Sequence, residues 1–457
     1  MNSWLSLVPP FIAIVLAIRT RQVVLSLTAG IFSGVWILGG INPLPAFTGT
    51  IELLVSTLAR PDNARMLLFS LLIGSVVFLV QRSGGVEGFV RALTQRGLVD
   101  SPSRAGLLAM LTGTGLFLEG SMSILAAGTV GKPFFRRFRM SREKLAYIAD
   151  ATAAPAKVLI PLNGWGAYLT GILTQLEVPR PFHLLMSAMP FFFYPIAGLI
   201  LVSLCVLCGW HWGPLKEAEE RSAVSCQSLE DEGAQPVKER RAVYFILPLA
   251  LLVASLIGFM FWTGHGDLTA GDGTRSILYG IFVTLAFCYP FYRISGVYDT
   301  AGYMKAVMDG MSHLLEVVMI LALAFAMNAV CRELKTGLFC ARLMAGNLPV
   351  FLVPVLLFLT SALISFATGT SWGTFAIMLG IAVPLAGTLG LSLPLAVGAV
   401  VSGGVWGDHC SPISDTTVLA SLASGCDLMA HVRTQLPYAL LGGGLAALAF
   451  LAAGVLL

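Results

Sequence analysis

The feature that most constrains this chain is a succession of apolar stretches of the length that crosses a bilayer as a helix. A spanning helix takes about 20 mostly apolar residues. The clearest stretches cover residues 4–18, 23–38, 66–80, 184–208, 243–262, 277–291, 314–330, 350–366, 372–389 and 436–457. Other stretches are interrupted by Gly, Pro or charge, so we expect about 11 to 13 membrane segments, some of them not fully spanning. The sequence therefore predicts an all-α polytopic membrane protein.

Composition supports this prediction and excludes other classes. Charged residues make up 11% of the chain, whereas soluble domains carry about 25%. The small net charge of +4 is scattered, so we expect no nucleic acid partner. The first apolar stretch lacks a basic leader region and a small-residue cleavage site and is interpreted as a retained helix. We expect a multi-pass protein of the bacterial inner membrane, with the lipid bilayer as its surroundings.

The chain divides into two halves that resemble each other. A charged segment at residues 211–241 separates residues 1–210 from residues 242–457 and is interpreted as an aqueous linker. Gly30-Ile31-Phe32 recurs 250 positions later as Gly280-Ile281-Phe282, and residues 66–80 align with residues 316–330. Such similarity between hydrophobic halves is typical of transporter repeats. We predict one transmembrane repeat on each side of a linker of cytoplasmic type.

Loop charge predicts that the two repeats are inverted. Cytoplasmic loops are enriched in Lys and Arg. Residues 132–144 carry six basic residues against one acidic residue, whereas the equivalent loop at residues 386–394 carries no charge. Arg19 and Arg21 follow the first stretch, whereas the matching loop at residues 264–275 contains two Asp and one Arg. Equivalent loops are therefore expected on opposite sides of the membrane.

Four carboxylates within apolar surroundings are the first candidates for function. A charge at membrane depth is costly, so a carboxylate placed there is a functional hypothesis by default. All four lie in tracts that recur between the halves: Glu119, Asp150, Asp408 and Asp415. We predict that they bind the transported cation or a proton.

Residues 407–417 form the densest of these tracts. Pro412 has no N–H and disfavours helix at Ser411, so the helix should break there. Backbone carbonyls freed at membrane depth are tolerated where they line a cavity or bind a ligand. We predict that Asp408 and Asp415 bind Na⁺, a hard cation that favours oxygen ligands, together with the hydroxyls of Ser411, Ser414, Thr416 and Thr417. The alternative is a Ser/Thr-rich helix cap on an extramembrane loop, which the apolar flanks disfavour.

The first-half counterpart runs from Asp150 through Thr152 and Pro155 to Lys157 and Asn163. Lys157 follows Asp150 by seven residues, a spacing that places both on one face of a continuous helix. Their pairing would neutralise Asp150, either for a purely structural purpose or as part of the site. Asn163 either donates to an anionic substrate or caps the next helix, and the sequence leaves both roles open.

Two further tracts have the small and hydroxylated composition of a hairpin tip. They contain Gly120 and Ser121 in the first half and Gly369, Thr370 and Ser371 in the second. We expect re-entrant hairpins there, although close helix packing explains the glycines equally well. His409 is either a proton carrier or a hydrogen-bonding neighbour of the site.

Long motifs connect these tracts to a known family. Residues 407–417 resemble the GD-x-x-SP-x-SDTT signature of NhaC-type sodium/proton antiporters, and residues 141–148, 150–155 and 163–168 resemble the matching first-half signature. The resemblance implies the wider ion-transporter group, in which a scaffold that often dimerises supports a moving, elevator-like transport domain with hairpins. It also implies Na⁺/H⁺ exchange. Lys157 departs from the pattern, and relatives are thought to carry organic acids, amino acids or drugs.

The leading hypothesis is an antiporter that exchanges a monovalent cation for protons. A carboxylate shielded from water can hold a proton or a cation but not both, and that competition suffices for exchange. The alternative is a Na⁺- or H⁺-coupled transporter of a small organic ion such as an amino acid or carboxylate. A membrane-embedded enzyme and a channel are less consistent with these motifs, since neither an HExxH nor a GxSxG tract is present. We expect no cofactor, and a homodimer follows from the resemblance alone.

Overall fold

A computed structural model describes residues 4–20, 22–39, 42–85, 88–89, 99–116, 120–161, 163–224, 241–266, 271–336, 339 and 349–456. Within these ranges the secondary structure is helical, and no strand occurs. Glu119 and residues 225–240 of the linker lie outside the described residues, as does the side chain of Ser121.

The first half forms eleven described α-helices. They are α1 (Val8–Thr20), α2 (Val23–Leu38), α3 (Pro43–Leu58), α4 (Pro61–Arg82), α5 (Pro102–Gly115), α6 (Gly120–Arg137), α7 (Arg142–Ala151), α8 (Ala154–Val158), α9 (Gly164–Gln175), α10 (Pro181–Ala188) and α11 (Phe193–Leu207). Short 3₁₀ turns at Trp4–Leu7 and Met189–Phe191 precede α1 and α11.

The linker and the second half supply ten more described α-helices. They are α12 (Pro214–Val224), α13 (Val243–Thr263), α14 (Gly273–Ile294), α15 (Thr300–His313), α16 (Leu315–Glu333), α17 (Val353–Thr368), α18 (Ser371–Leu389), α19 (Leu393–Cys410), α20 (Asp415–Ser424) and α21 (Leu428–Leu456). A 3₁₀ turn at Val350–Leu352 leads into α17.

The order and packing of the helices can be compared between the two predicted halves. In each half seven helices, α1 to α7 and α13 to α19, precede a break, and α8 and α20 are the helices that follow the two breaks. Contacts are exchanged between the halves: α2 and α3 pack on α16, while α14 and α15 pack on α4. Likewise α6 packs on α20, and α18 packs on α9. The halves therefore interlock, as expected of two elements related by a pseudo-two-fold axis.

The apolar lengths confirm the polytopic class. Seven helices of the described part are long and apolar enough to cross a membrane, and two bent helix pairs raise that number to nine. Other parts of the described chain form shorter helices separated by breaks, such as α7 and α8 or α19 and α20. The chain is a multi-pass membrane protein.

Two glycines fix the crossing of α4 and α15. A Cβ added to Gly310 would lie 2.4 Å from the carbonyl oxygen of Gly74, and one added to Gly74 would lie 2.3 Å from the carbonyl oxygen of Gly310. Small residues allow membrane helices to approach at backbone distance. Beside this crossing, Ser75 donates to the Val307 carbonyl at 2.8 Å.

The start of the linker is folded rather than simply solvated. Leu215 and Ala218 of α12 are buried. Glu219 accepts hydrogen bonds from the Ser141 backbone N–H at 2.7 Å and from the Ser141 hydroxyl at 2.5 Å. Ser141 is itself the N-cap of α7, with its hydroxyl accepting from the Lys144 N–H at 3.1 Å. The sequence indicated an aqueous charged segment and missed this docking, because one buried face on an eleven-residue helix is a weak pattern.

We predict that Gly310→Val destabilises the protein, because its side chain would meet the α4 backbone. Overpacking of this kind costs about 1–3 kcal/mol. Thermal unfolding of purified protein, followed by tryptophan fluorescence, measures the effect. Gly258→Val is the matched control, since Gly258 lies within α13 and no atom approaches the added Cβ within 4 Å. Equal melting temperatures in both variants would contradict the packing role of Gly310.

We also predict that Glu219→Ala lowers the melting temperature, because it removes the acceptor for two donors of the α7 cap. Hydrogen bonds to a charged group contribute about 1.5–3 kcal/mol each. Glu220→Ala is the control, because Glu220 forms an exposed pair with Lys216 at 3.9 Å, a type of pair worth about 1 kcal/mol or less. A Glu219→Ala protein as stable as the control would show that α12 does not support α7.

Candidate functional site

The second-half helix breaks where Pro412 predicts. α19 ends at Cys410, Ser411 is extended with φ −81° and ψ 127°, and α20 begins at Asp415. The Ser411 N–H turns back to the Asp408 carbonyl at 3.0 Å, and the Ser414 N–H bonds the Ser411 carbonyl at 3.2 Å. This four-residue segment, residues 411–414, is called the second break below.

Asp408 lies in the last turn of α19 and is held by hydroxyl and amide donors. It is 3% exposed. Ser414 donates its hydroxyl to Oδ1 at 2.7 Å, and the Ser371 N–H donates to Oδ2 at 3.2 Å. The Ser371 hydroxyl also donates to Oδ2. Because Ser371 is the first residue of α18, the positive end of that helix faces the carboxylate.

The charge of Asp408 has no basic counterpart in the described part of the chain. Its carboxylate oxygens accept from Ser371 and Ser414, and it forms no ion pair with a described Lys, Arg or His. Thr416 extends the cluster, with its hydroxyl 3.1 Å from that of Ser414. Hydroxyls both donate and accept hydrogen bonds, so the same groups that bind the carboxylate can present oxygen to a cation.

The structure separates Asp415 from the other predicted ligands by exposure. Its side chain is exposed, whereas Asp408 is buried. It lies in the first turn of α20, and Oδ1 accepts from the Thr416 N–H at 2.9 Å. The two carboxylates are close enough to interact electrostatically. Asp415 therefore lies at the surface near the buried Asp408 site, at a place called the mouth of the site below.

A helical hairpin, α17 and α18, brings Ser371 to Asp408. Its tip turns at Gly369, which has φ +68°, a left-handed conformation that favours glycine. A Cβ there would lie 2.8 Å from the Ile413 carbonyl oxygen, so the tip touches the second break. The Ser411 hydroxyl donates to the Phe366 carbonyl at 2.8 Å. Thr370 is the N-cap residue of α18, and its carbonyl accepts from Thr374 at 3.3 Å.

The first half contains an equivalent break. α7 ends at Ala151, and α8 begins at Ala154 with Pro155 in its first turn. The Thr152 hydroxyl donates to the Ile148 carbonyl at 2.7 Å. A Cβ on Gly113 would lie 2.1 Å from the Thr152 hydroxyl oxygen, so the first hairpin, α5 and α6, packs against this break.

Asp150 is bound by side chains from the second half. Its Oδ2 accepts from Gln435 Nε2 at 2.8 Å and from the Thr417 hydroxyl at 3.3 Å, and lies 3.3 Å from His431 Nε2. Thr417 was expected to bind the cation, but its described bond is to Asp150. All four side chains are buried.

The expected pairing of Asp150 and Lys157 on one helix face is wrong. The break at Thr152 and Ala153 separates their helices, so a spacing of seven residues does not align them. Lys157 is 1% exposed, and its Nζ lies 3.0 Å from the Cβ position of Gly120. The ammonium group therefore lies at the start of α6.

Asn163 is a helix cap. Its Oδ1 accepts from the N–H groups of Trp165 at 2.9 Å and Gly166 at 3.1 Å, which caps α9. Its Nδ2 donates to the Lys157 carbonyl at 2.9 Å. Of the two roles left open by the sequence, the structure shows the cap.

His409 is a hydrogen-bonding neighbour of the site. Its Nδ1 lies 2.5 Å from the Tyr194 hydroxyl, and its backbone carbonyl accepts from Gln435 Nε2 at 2.6 Å. Three of the residues that organise the site were missed from the sequence: Tyr194, His431 and Gln435. The last two are four residues apart at the start of α21, just before the apolar stretch at residues 436–457, and that spacing was the available signal.

Comparison with known proteins places these features in a family. A sequence profile of the Na⁺/H⁺ antiporter family matches residues 174–455. An uncharacterized protein of Haemophilus influenzae is 32% identical over 95% of this chain and 88% of its own length. The Na⁺/H⁺ antiporter NhaC of Alkalihalophilus pseudofirmus is 31% identical over 33% of each chain. The resemblance to NhaC-type proteins is confirmed.

Two further comparisons concern substrate and fold. The malate-2H⁺/Na⁺-lactate antiporter of Bacillus subtilis is 40% identical over 30% of each chain. The crystal structure of the YdaH transporter of Alcanivorax borkumensis matches with a TM-score of 0.65 and 17% identity, covering 94% of this chain and 97% of that one. At this identity the structural likeness shows the fold alone.

Proposed function

Because the chain belongs to the Na⁺/H⁺ antiporter family, we propose that it exchanges a small monovalent cation, Na⁺ in the first instance, for protons across the bacterial inner membrane. The observation that carries this proposal is Asp408, a buried carboxylate surrounded by hydroxyls. Among the described residues it has no basic partner.

A buried, uncompensated carboxylate is unfavourable in its charged form. It reaches a stable state either by binding a proton or by binding a cation. Each event displaces the other, because one negative charge neutralises one positive charge. A site that alternates between the two sides of a membrane then couples the movements of the two ions.

The cation ligands that the geometry supports are Asp408, Ser371 and Ser414. They supply carboxylate and hydroxyl oxygens, and hard cations favour such ligands. Asp415, exposed at the mouth, attracts the cation before it reaches Asp408. Na⁺ is cargo in this proposal, and the site needs no resident cofactor.

Alternating access follows from the two hairpins and the two breaks. We assign α5 to α7 and α17 to α20 to a moving transport domain, and α1 to α4 with α13 to α16 to a scaffold. The Gly74–Gly310 crossing supports a rigid scaffold, since backbone contact leaves little room for sliding. Inverted repeats, an elevator-like movement and a scaffold homodimer remain predictions from loop charge and family resemblance.

Lys157 supports the alternative, a transporter of a small organic ion. A buried ammonium at the start of α6 can pair with a substrate carboxylate, while Asp408 binds a coupling Na⁺ or H⁺. As its name states, the malate-2H⁺/Na⁺-lactate antiporter of Bacillus subtilis exchanges organic acids. Its similarity to this chain covers 30% of its length. In this case the substrate would be a carboxylate or an amino acid.

We predict that Asp408→Asn abolishes cation-driven proton movement, since an amide binds neither ion in exchange for the other. Asp415→Asn should raise the apparent KM for the cation, and it should lower the maximal rate less than Asp408→Asn does. The assay uses purified protein in liposomes with an internal pH dye and an imposed proton gradient, with Na⁺, Li⁺ and K⁺ added in turn. Glu52→Gln is the control, because Glu52 is exposed on α3 of the scaffold.

Two results would change the assignment. A fully active Asp408→Asn protein would show that Asp408 does not bind the exchanged ions. The second result is a wild-type protein that responds to none of the three cations but moves protons or Na⁺ when malate, lactate or arginine is added. That result would favour the organic-ion hypothesis. Lys157→Met should then remove transport of the organic ion.

A further inference from the structure

A second polar cluster lies where α7, α20 and α21 meet, and we propose that it is a second proton-binding site, which proton-coupled exchange requires in addition to the competition between proton and cation at Asp408. It consists of Asp150, Thr417, His431 and Gln435, and is called the Asp150 cluster below. The inference rests on the proposed cation/proton exchange and assigns the proton to particular atoms.

The geometry of the cluster joins one carboxylate to one imidazole. His431 and Gln435 are one helical turn apart on α21, so both face the end of α7. His431 Nε2 lies 3.3 Å from Asp150 Oδ2, and Gln435 Nε2 lies 2.8 Å from the same oxygen. Asp150 and His431 are both 0% exposed. A carboxylate and an imidazole in contact and sealed from water can share a proton.

The cluster also has unused hydrogen-bonding capacity. Four buried atoms have no hydrogen-bond partner among the described residues: Asp150 Oδ1, His431 Nδ1, Gln435 Oε1 and His409 Nε2. A buried polar group that stays unsatisfied is energetically unfavourable. Four of them within one network indicate a place where a proton and the water that carries it can bind. The Asp408 carboxylate differs, because both of its oxygens have donors.

Gln435 connects the cluster to the cation site. Its Nε2 donates both to Asp150 Oδ2 at 2.8 Å and to the His409 carbonyl at 2.6 Å. His409 directly follows Asp408 at the second break. Charge-assisted hydrogen bonds are roughly twice as strong as neutral ones, so a proton on Asp150 weakens its bond to Gln435. That change alters how firmly Gln435 holds the backbone beside the cation.

The cluster lies close to water on one side. His431 is in the first turn of α21, and its N–H bonds the carbonyl of exposed Asp427 at 2.9 Å. Arg142 donates to the Gly425 carbonyl at 2.7 Å on the same side. Arg142 belongs to the basic loop at residues 132–144 that predicts the cytoplasmic surface. Protons therefore enter the cluster from the cytoplasmic side through His431.

The proton transfer needs only these groups. A proton that binds Nδ1 of neutral His431 forms an N–H bond there, the Nε2–H bond breaks, and that proton forms an O–H bond on Asp150 Oδ2. The ring and the carboxyl group both end neutral, and the cluster gains one positive charge. The other described titratable side chains that interact electrostatically with Asp150 are Tyr194, Asp408, His409 and Cys410.

The test separates proton coupling from cation binding in proteoliposomes. Na⁺-driven proton movement needs both sites, whereas exchange of internal Na⁺ for external radioactive Na⁺ at equal pH needs only the cation site. We expect His431→Gln to lower the first rate at least about tenfold relative to the second, because glutamine keeps a hydrogen bond but does not titrate. His183→Gln, an exposed histidine on α10, is the control and should change neither rate.

A second variant guards against a folding defect. Gln435→Leu leaves Asp150 and His431 titratable but removes the link to His409, so it should also lower the ratio of the two rates. An unchanged ratio in a folded His431→Gln or Gln435→Leu protein overturns the inference, and so does equal loss of both rates. If wild-type protein exchanges Na⁺ for Na⁺ but never moves protons, the proton site and the proposed function both fail. If the wild type moves protons and the ratio of the two rates is unchanged in His431→Gln or Gln435→Leu, only the proposed proton site is contradicted.

Discussion

The burial of Asp408 without a basic partner among the described residues is the constraint on which the surrounding structure depends. A carboxylate at membrane depth must be held by donors that do not cancel its charge, or it would have no reason to bind a cation. Ser371 and Ser414 meet that requirement from two sides. Ser414 belongs to the second break and Ser371 to a hairpin tip, so neither donor would reach Asp408 from an uninterrupted helix.

Close helix packing at glycines positions the hairpin that carries Ser371. A Cβ on Gly403 would lie 2.2 Å from the Phe358 carbonyl oxygen, and one on Gly407 would lie 2.1 Å from that of Ala362. α17 and α19 therefore touch at backbone distance just before Asp408. This contact fixes the height of the hairpin tip, and with it the position of Ser371. The small residues of α19 thus matter to the site although they bind nothing, which is how close helix contact usually acts in membranes.

The sequence predicted the parts of this site that depend on local chemistry. Pro412 predicted the second break, and Gly369 with its neighbours predicted the tip of a hairpin, because both effects arise within a few residues. It could not predict partners that meet only in the folded chain, such as Gln435 with Asp150. It also placed Lys157 beside Asp150 by assuming a continuous helix, although Pro155 stands between them. The exposure of Asp415 could not be read either, since its neighbours in sequence are as polar as those of Asp408.

The two breaks each interrupt a helix directly after an aspartate-bearing turn, but the surroundings of the two aspartates differ, and this difference matters for exchange. Asp150 is met by an imidazole, an amide and a hydroxyl from the opposite half, whereas Asp408 is met by two serines, from α18 and the second break. Duplicated halves with identical sites would offer two equal places to either ion. Here Asp150 of the first half is bound by second-half side chains, whereas the donors to Asp408 come from the second half itself, so the two sites are chemically distinct. Gln435, which donates to Asp150 and to the carbonyl of His409 next to Asp408, connects them.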